Sequence, residues 1–494
     1  MKLITAAYIV SATLIGTFYP KRNVPLPITR YCKQNNTYFN PHFQNNTKPD
    51  SLMTPYKTIE YQLEASPFSW DIAPGKSIEA WGYNHQVPGP VLRARRGDTL
   101  VIHFTNHLPE PTTIHWHGLR VPAAMDGTEE VQRPVMPGET FEYRLPLPDA
   151  GTFWYHPHSN ETVQMERGLH GVIVVEDDED PKVDGDRIFS LDDMKLNRKN
   201  KFKKPSWFLP RWLERHNGRE GETLLVNGKE NPDIPMAAGQ TERWRFVNAS
   251  SARYYNLSFG ARSFQIIGSD GGLLEWPVPV TEILLTPGER LDILVGPFTE
   301  GENFEIATLP YDRGTGKGKK LKLATVKVGH AEPTLAVVPG SLRNIEWLTS
   351  PDTPVTKHIK LHGKRSWTDG ADFMINDHMH LHDTPVRVGD LQVWEITNPS
   401  MLDHPFHLHG FFFQVLEVDG KIPAYKAWKD TYNVPRKGKI KIAWLPDDRP
   451  GQWMYHCHIL EHSAAGMMAH FEIVPKDAMI PASFSPSSYS HTHH

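Results

Sequence analysis

Three segments of the chain alternate apolar and polar residues with the two-residue period of a β-strand. They begin at Val101, Arg243 and Gln392, and each follows a short turn of glycine and a polar residue. Their sequences, VIHFTN, RWRFVN and QVWEITN, place β-branched and aromatic residues at alternate positions, as strands do. Because the three segments are similar, they indicate one structural unit that occurs three times along the chain.

Each repeat contains a second strand-like segment that follows another glycine turn. The turns are Met136–Thr140, Thr286–Arg290 and Arg436–Lys439. The 42 prolines in 494 residues favour short strands joined by irregular turns over long helices. We therefore predict an all-β fold of three consecutive Greek-key β-sandwich domains. Their approximate spans are residues 54–178, 186–330 and 340–476.

The two ends of the chain lie outside the repeats. Residues 1–22 carry Lys2 at the start, continue with a mostly apolar run and end with Lys21 and Arg22. This pattern is typical of a signal peptide or an uncleaved membrane anchor. We therefore predict an exported protein, periplasmic or extracellular, which a retained anchor would tether to the membrane. Residues 23–53 are predicted to be a linker, and residues 477–494 a C-terminal tail with a histidine-rich end.

The composition excludes one class of partner and draws attention to histidine. The 53 Lys and Arg residues are balanced by 57 Asp and Glu, so the chain has no basic surplus for binding nucleic acid. It has 26 histidines but only two cysteines, Cys32 and Cys457. We interpret both cysteines as unpaired, because a disulfide would occupy Cys457, which lies between two histidines.

Four His-x-His pairs occur in the first and third repeats. In a strand, residues i and i+2 point to the same face, so each pair presents two imidazoles together. At the positions of the first pair, the second repeat has Leu257 and Phe259. This restriction indicates a metal site shared by the first and third repeats, and eight imidazoles suffice for three copper ions. The pairs are His115 and His117, His156 and His158, His407 and His409, and His456 and His458.

The same strand period predicts a second site. Cys457 lies between the histidines of the fourth pair, so its side chain points to the opposite face. His404 precedes the third pair by three residues and can face the same way, while His462 and Met467 follow Cys457. Two His, one Cys and a weak axial Met are the ligands of electron-transfer copper sites. A structural zinc site, by contrast, takes four ligands in all.

With the motifs HWHG, HPH, HPFHLHG and HCHILEHxxxxM, the sequence resembles the three-domain multicopper oxidases. This family of cupredoxin repeats includes laccases and bacterial cuprous oxidases, and the resemblance covers about residues 54–476. It implies four copper ions, one of type 1, one of type 2 and two of type 3. The implied ligands are His404, Cys457, His462 and Met467 for type 1, His115 and His407 for type 2, His117, His156 and His458 for one type 3 copper, and His158, His409 and His456 for the other.

The resemblance also implies a reaction. A small reducing substrate gives up single electrons near His404 or His462, and Cys457 passes them to the three-copper cluster, where dioxygen is reduced to water. Cys457 and His462 are therefore candidate catalytic residues. We expect the protein to act as a monomer, with the reducing substrate and dioxygen as its partners.

The reduction of dioxygen also needs protons. Members of the family carry an acid nine residues after the equivalent of His117, and Asp126 has this position as a candidate catalytic proton relay. Asp126-Gly127 is also a strong turn dipeptide, which leaves a structural role open. Many bacterial relatives have Glu directly after the last type 1 histidine, whereas this chain has Ser463. The sequence does not identify the acid that replaces this Glu.

The substrate class stays open between phenols and metal ions. Cuprous oxidases of the family often carry a methionine-rich insertion over the type 1 site, whereas the loop Asp312–Lys320 at that general place is rich in Gly and Lys. Because Cu(I) prefers soft sulfur ligands, this loop favours a laccase-like activity on phenols or related aromatics. The alternatives are a Cu(I)/Fe(II) metallo-oxidase in metal homeostasis and a non-catalytic copper-binding relative. A copper nitrite reductase would have two repeats.

Overall fold

The computed structural model describes residues 56–203, 209–366, 370–480 and 486–488. The predicted signal peptide or anchor, the predicted linker, Cys32 and the histidine-rich end of the tail lie outside the described residues. None of the described helices is long and apolar enough to cross a membrane. Almost all regular structure in the described part is β-strand, which confirms the predicted all-β fold class.

The first repeat forms two sheets. One has the order β2-β1-β4-β5 and the other the order β3-β7-β6. A 3₁₀ turn at Ala123–Met125 and a short helix, α1 (Glu161–Gln164), follow the segments that carry the first two histidine pairs. The strands are β1 (Thr58–Ala73), β2 (Lys76–Tyr83), β3 (Leu92–Arg95), β4 (Thr99–Asn106), β5 (Thr140–Pro146), β6 (Gly151–Tyr155) and β7 (Gly171–Glu176).

The second repeat forms a five-stranded and a six-stranded sheet, and helix α2 (Leu209–Asn217) belongs to its first part. Its strands are β8 (Gly185–Met194), β9 (Thr223–Val226), β10 (Asp233–Ala238), β11 (Glu242–Asn248), β12 (Tyr255–Ser258), β13 (Phe264–Ser269), β14 (Gly272–Val280), β15 (Glu282–Leu285), β16 (Arg290–Val295), β17 (Asn303–Leu309) and β18 (Leu321–Ala331). The sheet orders are β10-β18-β17-β12-β15 and β14-β13-β16-β11-β8-β9.

The third repeat also has two sheets, and helix α3 (Leu460–Ala464) follows the HCH motif. Its strands are β19 (Lys357–Ser366), β20 (Gly370–Ile375), β21 (Leu381–His382), β22 (Val386–Arg387), β23 (Gln392–Thr397), β24 (His404–Leu408), β25 (Phe413–Val418), β26 (Thr431–Val434), β27 (Lys439–Trp444), β28 (Gly451–Cys457), β29 (Met468–Val474) and β30 (Ser487–Ser488). The sheet orders are β20-β19-β23-β27-β25 and β26-β24-β28-β29-β21-β30, with β22 beside β29.

Each repeat has its own hydrophobic core, and alternate residues of the three predicted strand segments enter it. These residues are Ile102 and Phe104, Trp244 and Phe246, and Trp394 and Ile396. Burial of large apolar side chains is the main stabilising contribution to such sandwiches. The alternation seen in the sequence therefore corresponds to the inward face of β4, β11 and β23.

The polar face of β11 is also buried, which the alternation alone does not indicate. Arg243 and Arg245 are almost fully inaccessible, and both donate to the carboxylate of Asp292 on β16. Arg245 also donates to the Thr152 hydroxyl of the first repeat, at 3.0 Å. The first repeat therefore covers the polar face of β11. The buried charges on this face are paired with one another, as buried ions require.

Candidate metal centres

Two antiparallel strands of the third repeat position side chains for two sites. β24 and β28 pair so that His407 lies opposite His456 and Phe406 lies opposite Cys457. Directly opposed residues point to the same face of a sheet. His407 and His456 therefore share one face, while Cys457 points away from them into the core of the third repeat.

The first repeat contributes its histidines through a backbone bridge. The amide of His115 donates to the carbonyl of His156 at 2.8 Å, and the amide of His156 donates back at 3.1 Å. This reciprocal pair holds the HWH and HPH segments side by side. Both histidine pairs of the first repeat consequently face the pairs of the third.

The structure brings the eight predicted histidines of the four pairs into one cluster, which we call the histidine cluster. The ring of His115 stacks on that of His409 with centroids 3.9 Å apart, and His117 stacks on His407 at 3.8 Å. Each stack joins the first repeat to the third. The His458 ring lies 5.0 Å from that of His117. Candidate ligand atoms lie within 4.8 Å of one another in three groups, His115, His117 and His156; His115, His407 and His409; and His158, His409 and His456.

Hydrogen bonds at the edge of the histidine cluster fix which ring nitrogens face inward. Four histidines place Nδ1 within 2.8–3.0 Å of a backbone carbonyl oxygen, which can only accept. Each Nδ1 therefore carries the proton, and each Nε2 turns a lone pair into the cluster. These four are His115, His156, His407 and His456.

The ring nitrogens inside the histidine cluster are placed to bind a metal ion rather than to form hydrogen bonds with one another. The Nε2 atoms of His115, His158 and His407, and both ring nitrogens of His458, are buried without a hydrogen-bond partner among the described residues. A buried acceptor without a partner costs free energy, and coordination to a metal ion removes that cost. Imidazole nitrogen suits copper in both of its common oxidation states.

Asp126 lies against the histidine cluster. Its Oδ2 atom is 2.9 Å from Nδ1 of His409, and its backbone carbonyl accepts from Nδ1 of His115. The side chain is almost fully buried, and its backbone has ordinary right-handed helical angles at the end of the 3₁₀ turn. The residue therefore ends a turn and also contacts a candidate ligand from each of two repeats.

A second buried carboxylate, Asp430, was not identified from the sequence. Its Oδ1 atom lies 3.2 Å from Nε2 of His117, and its carbonyl accepts from Nδ1 of His407 at 2.9 Å. Arg290 of the second repeat binds both carboxylate oxygens. Burial opposes ionisation, but the Arg290 guanidinium holds the pKa of Asp430 well below its usual range.

The second predicted site lies on the other face of β28. The Sγ atom of Cys457 is 3.5 Å from Nδ1 of His404 and 3.6 Å from Nδ1 of His462, and the two Nδ1 atoms are 3.2 Å apart. All three side chains are fully buried. Cys457 forms no disulfide within the described residues, which do not include Cys32.

The outer nitrogens of these two histidines are also occupied. Nε2 of His462 donates to the backbone carbonyl of His216 on α2 at 3.0 Å. Nε2 of His404 lies 3.0 Å from the hydroxyl of Ser400, which itself donates to Asn398. Both Nδ1 atoms therefore present lone pairs to the sulfur of Cys457, as a shared soft metal ion requires.

Burial keeps these groups neutral when no metal is bound. It lowers the pKa of His404 to about 3, and it raises the pKa of the Cys457 thiol. Met467 is fully buried in the same core cluster as Cys457, and its carbonyl accepts from the Cys457 amide at 3.1 Å. The fourth member of the predicted ligand set therefore adjoins the site.

A buried acid from the first repeat lies next to Ser463. Oε2 of Glu161, on α1, is 3.9 Å from Nε2 of His158. Burial raises the pKa of Glu161 to about 7, and the Ser463 hydroxyl opposes this shift. Glu161 therefore brings a buried carboxyl group to within 3.9 Å of a histidine of the cluster.

The comparisons with known proteins agree with this geometry. Three domain families described as multicopper oxidase match residues 65–180, 195–330 and 349–477. A multicopper oxidase of Staphylococcus aureus is 31% identical over 428 residues, which are 84% of this chain and 88% of that protein. The matched regions contain all eight histidines of the cluster together with Cys457, His404, His462 and Met467.

Two solved structures are similar over all three repeats. A multicopper oxidase from Campylobacter jejuni, described as a metallo-oxidase, is 30% identical with a TM-score of 0.74, and the match covers 84% of this chain and 91% of that one. A laccase from Pediococcus acidilactici is 30% identical with a TM-score of 0.73, covering 86% and 92%. The fold is therefore that of three cupredoxin-like domains in succession.

Proposed function

The chain belongs to the multicopper oxidase family, and we propose that it couples one-electron oxidation of phenols or related aromatics to four-electron reduction of dioxygen to water. The family binds copper, and when bound this metal supplies single-electron redox chemistry at one site and multi-electron chemistry at another. We propose four copper ions per chain, one of type 1, one of type 2 and two of type 3. The activity is that of a laccase-like oxidoreductase.

One observation carries the proposal. Cys457 lies between His456 and His458 in the sequence, yet its sulfur belongs to the site with His404 and His462 while its neighbours belong to the histidine cluster. The two sites are therefore joined by covalent bonds through a single residue. This connection gives electrons a short path from the Cys457 site to the histidine cluster.

We propose that each site residue has the role implied by the family. The type 1 copper would be held by His404, Cys457, His462 and Met467. The type 2 copper would be held by His115 and His407, one type 3 copper by His117, His156 and His458, and the other by His158, His409 and His456. The inward lone pairs of the histidines support copper binding by the cluster, and the ligand atoms of His158, His409 and His456 lie within 4.8 Å of one another, as one type 3 site requires.

Asp126 is proposed as the residue that supplies protons to the cluster. Its contact with Nδ1 of His409 places a carboxylate at the edge of the site where dioxygen is reduced. A positioned acid of this kind typically contributes 10²–10⁴-fold to a rate. The same contact also orients the His409 ring.

The preference for aromatic substrates rests on the surface near His404. The carbonyl of Arg313 accepts from the amide of Asp403 at 2.8 Å, so the base of the loop Asp312–Lys320 lies beside this ligand. The loop beyond it is exposed and carries three lysines but no sulfur. The lack of sulfur within this loop favours an aromatic donor over Cu(I), although the exposed Met401 adjoins the loop at Gly314 and the similar structures include both a metallo-oxidase and a laccase.

The test is a side-by-side measurement of oxygen consumption by the copper-loaded protein with a phenol, Fe(II) and Cu(I). The proposal expects the highest kcat/KM with the phenol. A higher value with either metal ion would make the Cu(I)/Fe(II) metallo-oxidase the correct alternative. Cys457→Ser should abolish the blue absorption and all turnover, and wild type that binds copper but consumes no oxygen would indicate a non-catalytic copper protein.

Export is a separate proposal, because residues 1–22 lie outside the described residues. Their apolar, positively flanked sequence is the support. Cell fractionation of the full chain and of a chain lacking these residues would test it. The full chain should be found outside the cytoplasm, and the shortened chain within it.

A further inference from the structure

His117 differs from most histidines of the cluster in how it is oriented. Its Nδ1 faces inward, 3.5 Å from Nε2 of His156, and its Nε2 faces outward. This outer nitrogen meets the carboxylate of Asp430 at 3.2 Å and the hydroxyl of Thr431 at 3.1 Å. A side chain of the third repeat, rather than a neighbouring carbonyl, therefore sets the orientation of this histidine of the first repeat.

Asp430 is itself held in place by Arg290. The guanidinium uses Nη1 and Nη2 on the two carboxylate oxygens, with the Nη1 bond at 2.6 Å. It also donates to the backbone carbonyls of Thr152, Gly288 and Asp270 at 3.1–3.2 Å, and its Nη1 lies 3.5 Å from the carboxylate of Asp270. Both charged side chains are buried, and a bidentate pair fixes the plane of the carboxylate.

Arg290 ends the glycine turn Thr286–Arg290, whose counterpart in the first repeat is Met136–Thr140. Thr140 is exposed, whereas Arg290 is buried beside the cluster. The second repeat thus has no histidine pairs but supplies a cation at their edge. Through Asp430, all three repeats meet at one carboxylate.

We propose that Asp430 is a positioning residue that, clamped by Arg290, holds the His117 ring with Nδ1 turned towards copper. The inference rests on the proposed function, because it concerns the three-copper cluster. A carboxylate accepts only, so it requires the proton of His117 on Nε2 and leaves the lone pair on Nδ1. Without it the ring can turn over and present the wrong nitrogen.

The experiment compares Asp430→Asn with wild type, both as full chains loaded with copper. Removing an outer-shell partner of a metal-binding histidine typically weakens metal binding 10–100-fold. We therefore expect a chelator to remove copper from the histidine cluster of the variant at a concentration about 10–100-fold lower than the wild type requires. The number of coppers per chain should fall, and the near-ultraviolet absorption of the type 3 copper pair, one member of which His117 would bind, should weaken. The blue absorption of the Cys457 site should stay.

Asp292→Asn is the matched control. Asp292 is also a buried aspartate with arginine partners, Arg243 and Arg245, and it lies on the same strand as Arg290. Its loss breaks a buried ion pair of the same kind, so a comparable fall in melting temperature is expected. Its copper content and spectra should match those of wild type.

Two outcomes would overturn the proposal. One is full copper content with unchanged type 3 absorption in Asp430→Asn, and the other is an equal loss of copper from both sites in a folded variant. A second variant is needed if Asp430→Asn does not fold. Arg290→Lys then decides by the same criteria, because it keeps the charge but loses the two-pronged contact. If wild type itself binds fewer than four coppers, the proposed function fails instead.

Discussion

The Nε2 atoms of His409 and His456 lie 3.0 Å apart, although Nδ1 of each ring already donates a hydrogen bond to an oxygen. His409 directs Nδ1 to the carboxylate of Asp126, and His456 directs it to the carbonyl of Cys457, each at 2.9 Å. Because both oxygens are acceptors, two lone pairs are opposed inside the cluster. This contact is unfavourable until a cation lies between the rings.

Removal of copper should therefore destabilise the fold. A ligand at 1,000 times its dissociation constant stabilises the native state by about 4 kcal/mol, and relief of the opposed lone pairs acts in the same direction. Differential scanning calorimetry should show a lower melting temperature after exhaustive chelation and recovery after copper is restored. Equal melting temperatures with and without copper would contradict a copper site between these histidines.

Met467→Leu should raise the reduction potential of the type 1 copper. A thioether ligand stabilises Cu(II) relative to a side chain that cannot coordinate, so its loss favours Cu(I). Met468→Leu is the matched control, because Met468 lies opposite His456 in the sheet and so shares the face turned away from Cys457. A redox titration should show the shift in the first variant alone. An unchanged potential in Met467→Leu would mean that Met467 does not coordinate the type 1 copper.

His170 should make the protein sensitive to acid independently of copper. Burial lowers its pKa to about 4, and its Nδ1 has no hydrogen-bond partner among the described residues. The unfolded chain takes up this proton near pH 6.5 while the folded chain resists it until about pH 4. The contribution of His170 to the free energy of unfolding is therefore fully present above pH 6.5 and is lost as the pH falls from 6.5 towards 4.

At pH 5 the free energy of unfolding is lower by about 2 kcal/mol because of His170, since each pH unit below about 6.5 costs about 1.4 kcal/mol. His170→Gln cannot be protonated, so its free energy of unfolding should fall less than that of wild type between pH 7 and pH 5. Urea unfolding at the two pH values measures the difference. Parallel losses in the two proteins would mean that His170 titrates normally in the fold.

The sequence predicted the strands, the all-β class and the two faces of β28, because the strand period alone decides which side chains share a face. It could not predict the contact of Arg290 with Asp430, since the residues are 140 positions apart and meet only through the packing of three repeats. Likewise, Glu161 reaches Ser463 from the first repeat, which sequence order does not reveal.

Asp126→Asn should separate proton supply from substrate oxidation. Asn keeps an oxygen that can accept from Nδ1 of His409, and the ordinary backbone angles of Asp126 suit it, so the ring and the turn should stay in place. What it loses is the titratable carboxyl group. Reduction of the blue copper by substrate should therefore remain near normal, while reoxidation by dioxygen should slow by about 10²-fold.

Stopped-flow spectroscopy measures both steps, as anaerobic bleaching of the blue absorption and its return on mixing with oxygen. Asp126→Ala serves as the control for orientation, because it removes the acceptor as well as the acid. If Asn and Ala slow reoxidation equally, the titratable group is what matters; if only Ala slows it, Asp126 acts by orienting His409.

Slow bleaching with normal reoxidation would place Asp126 on the substrate side. Normal rates in both steps would leave it as a turn residue, and the buried carboxyl of Glu161 would become the next group to replace.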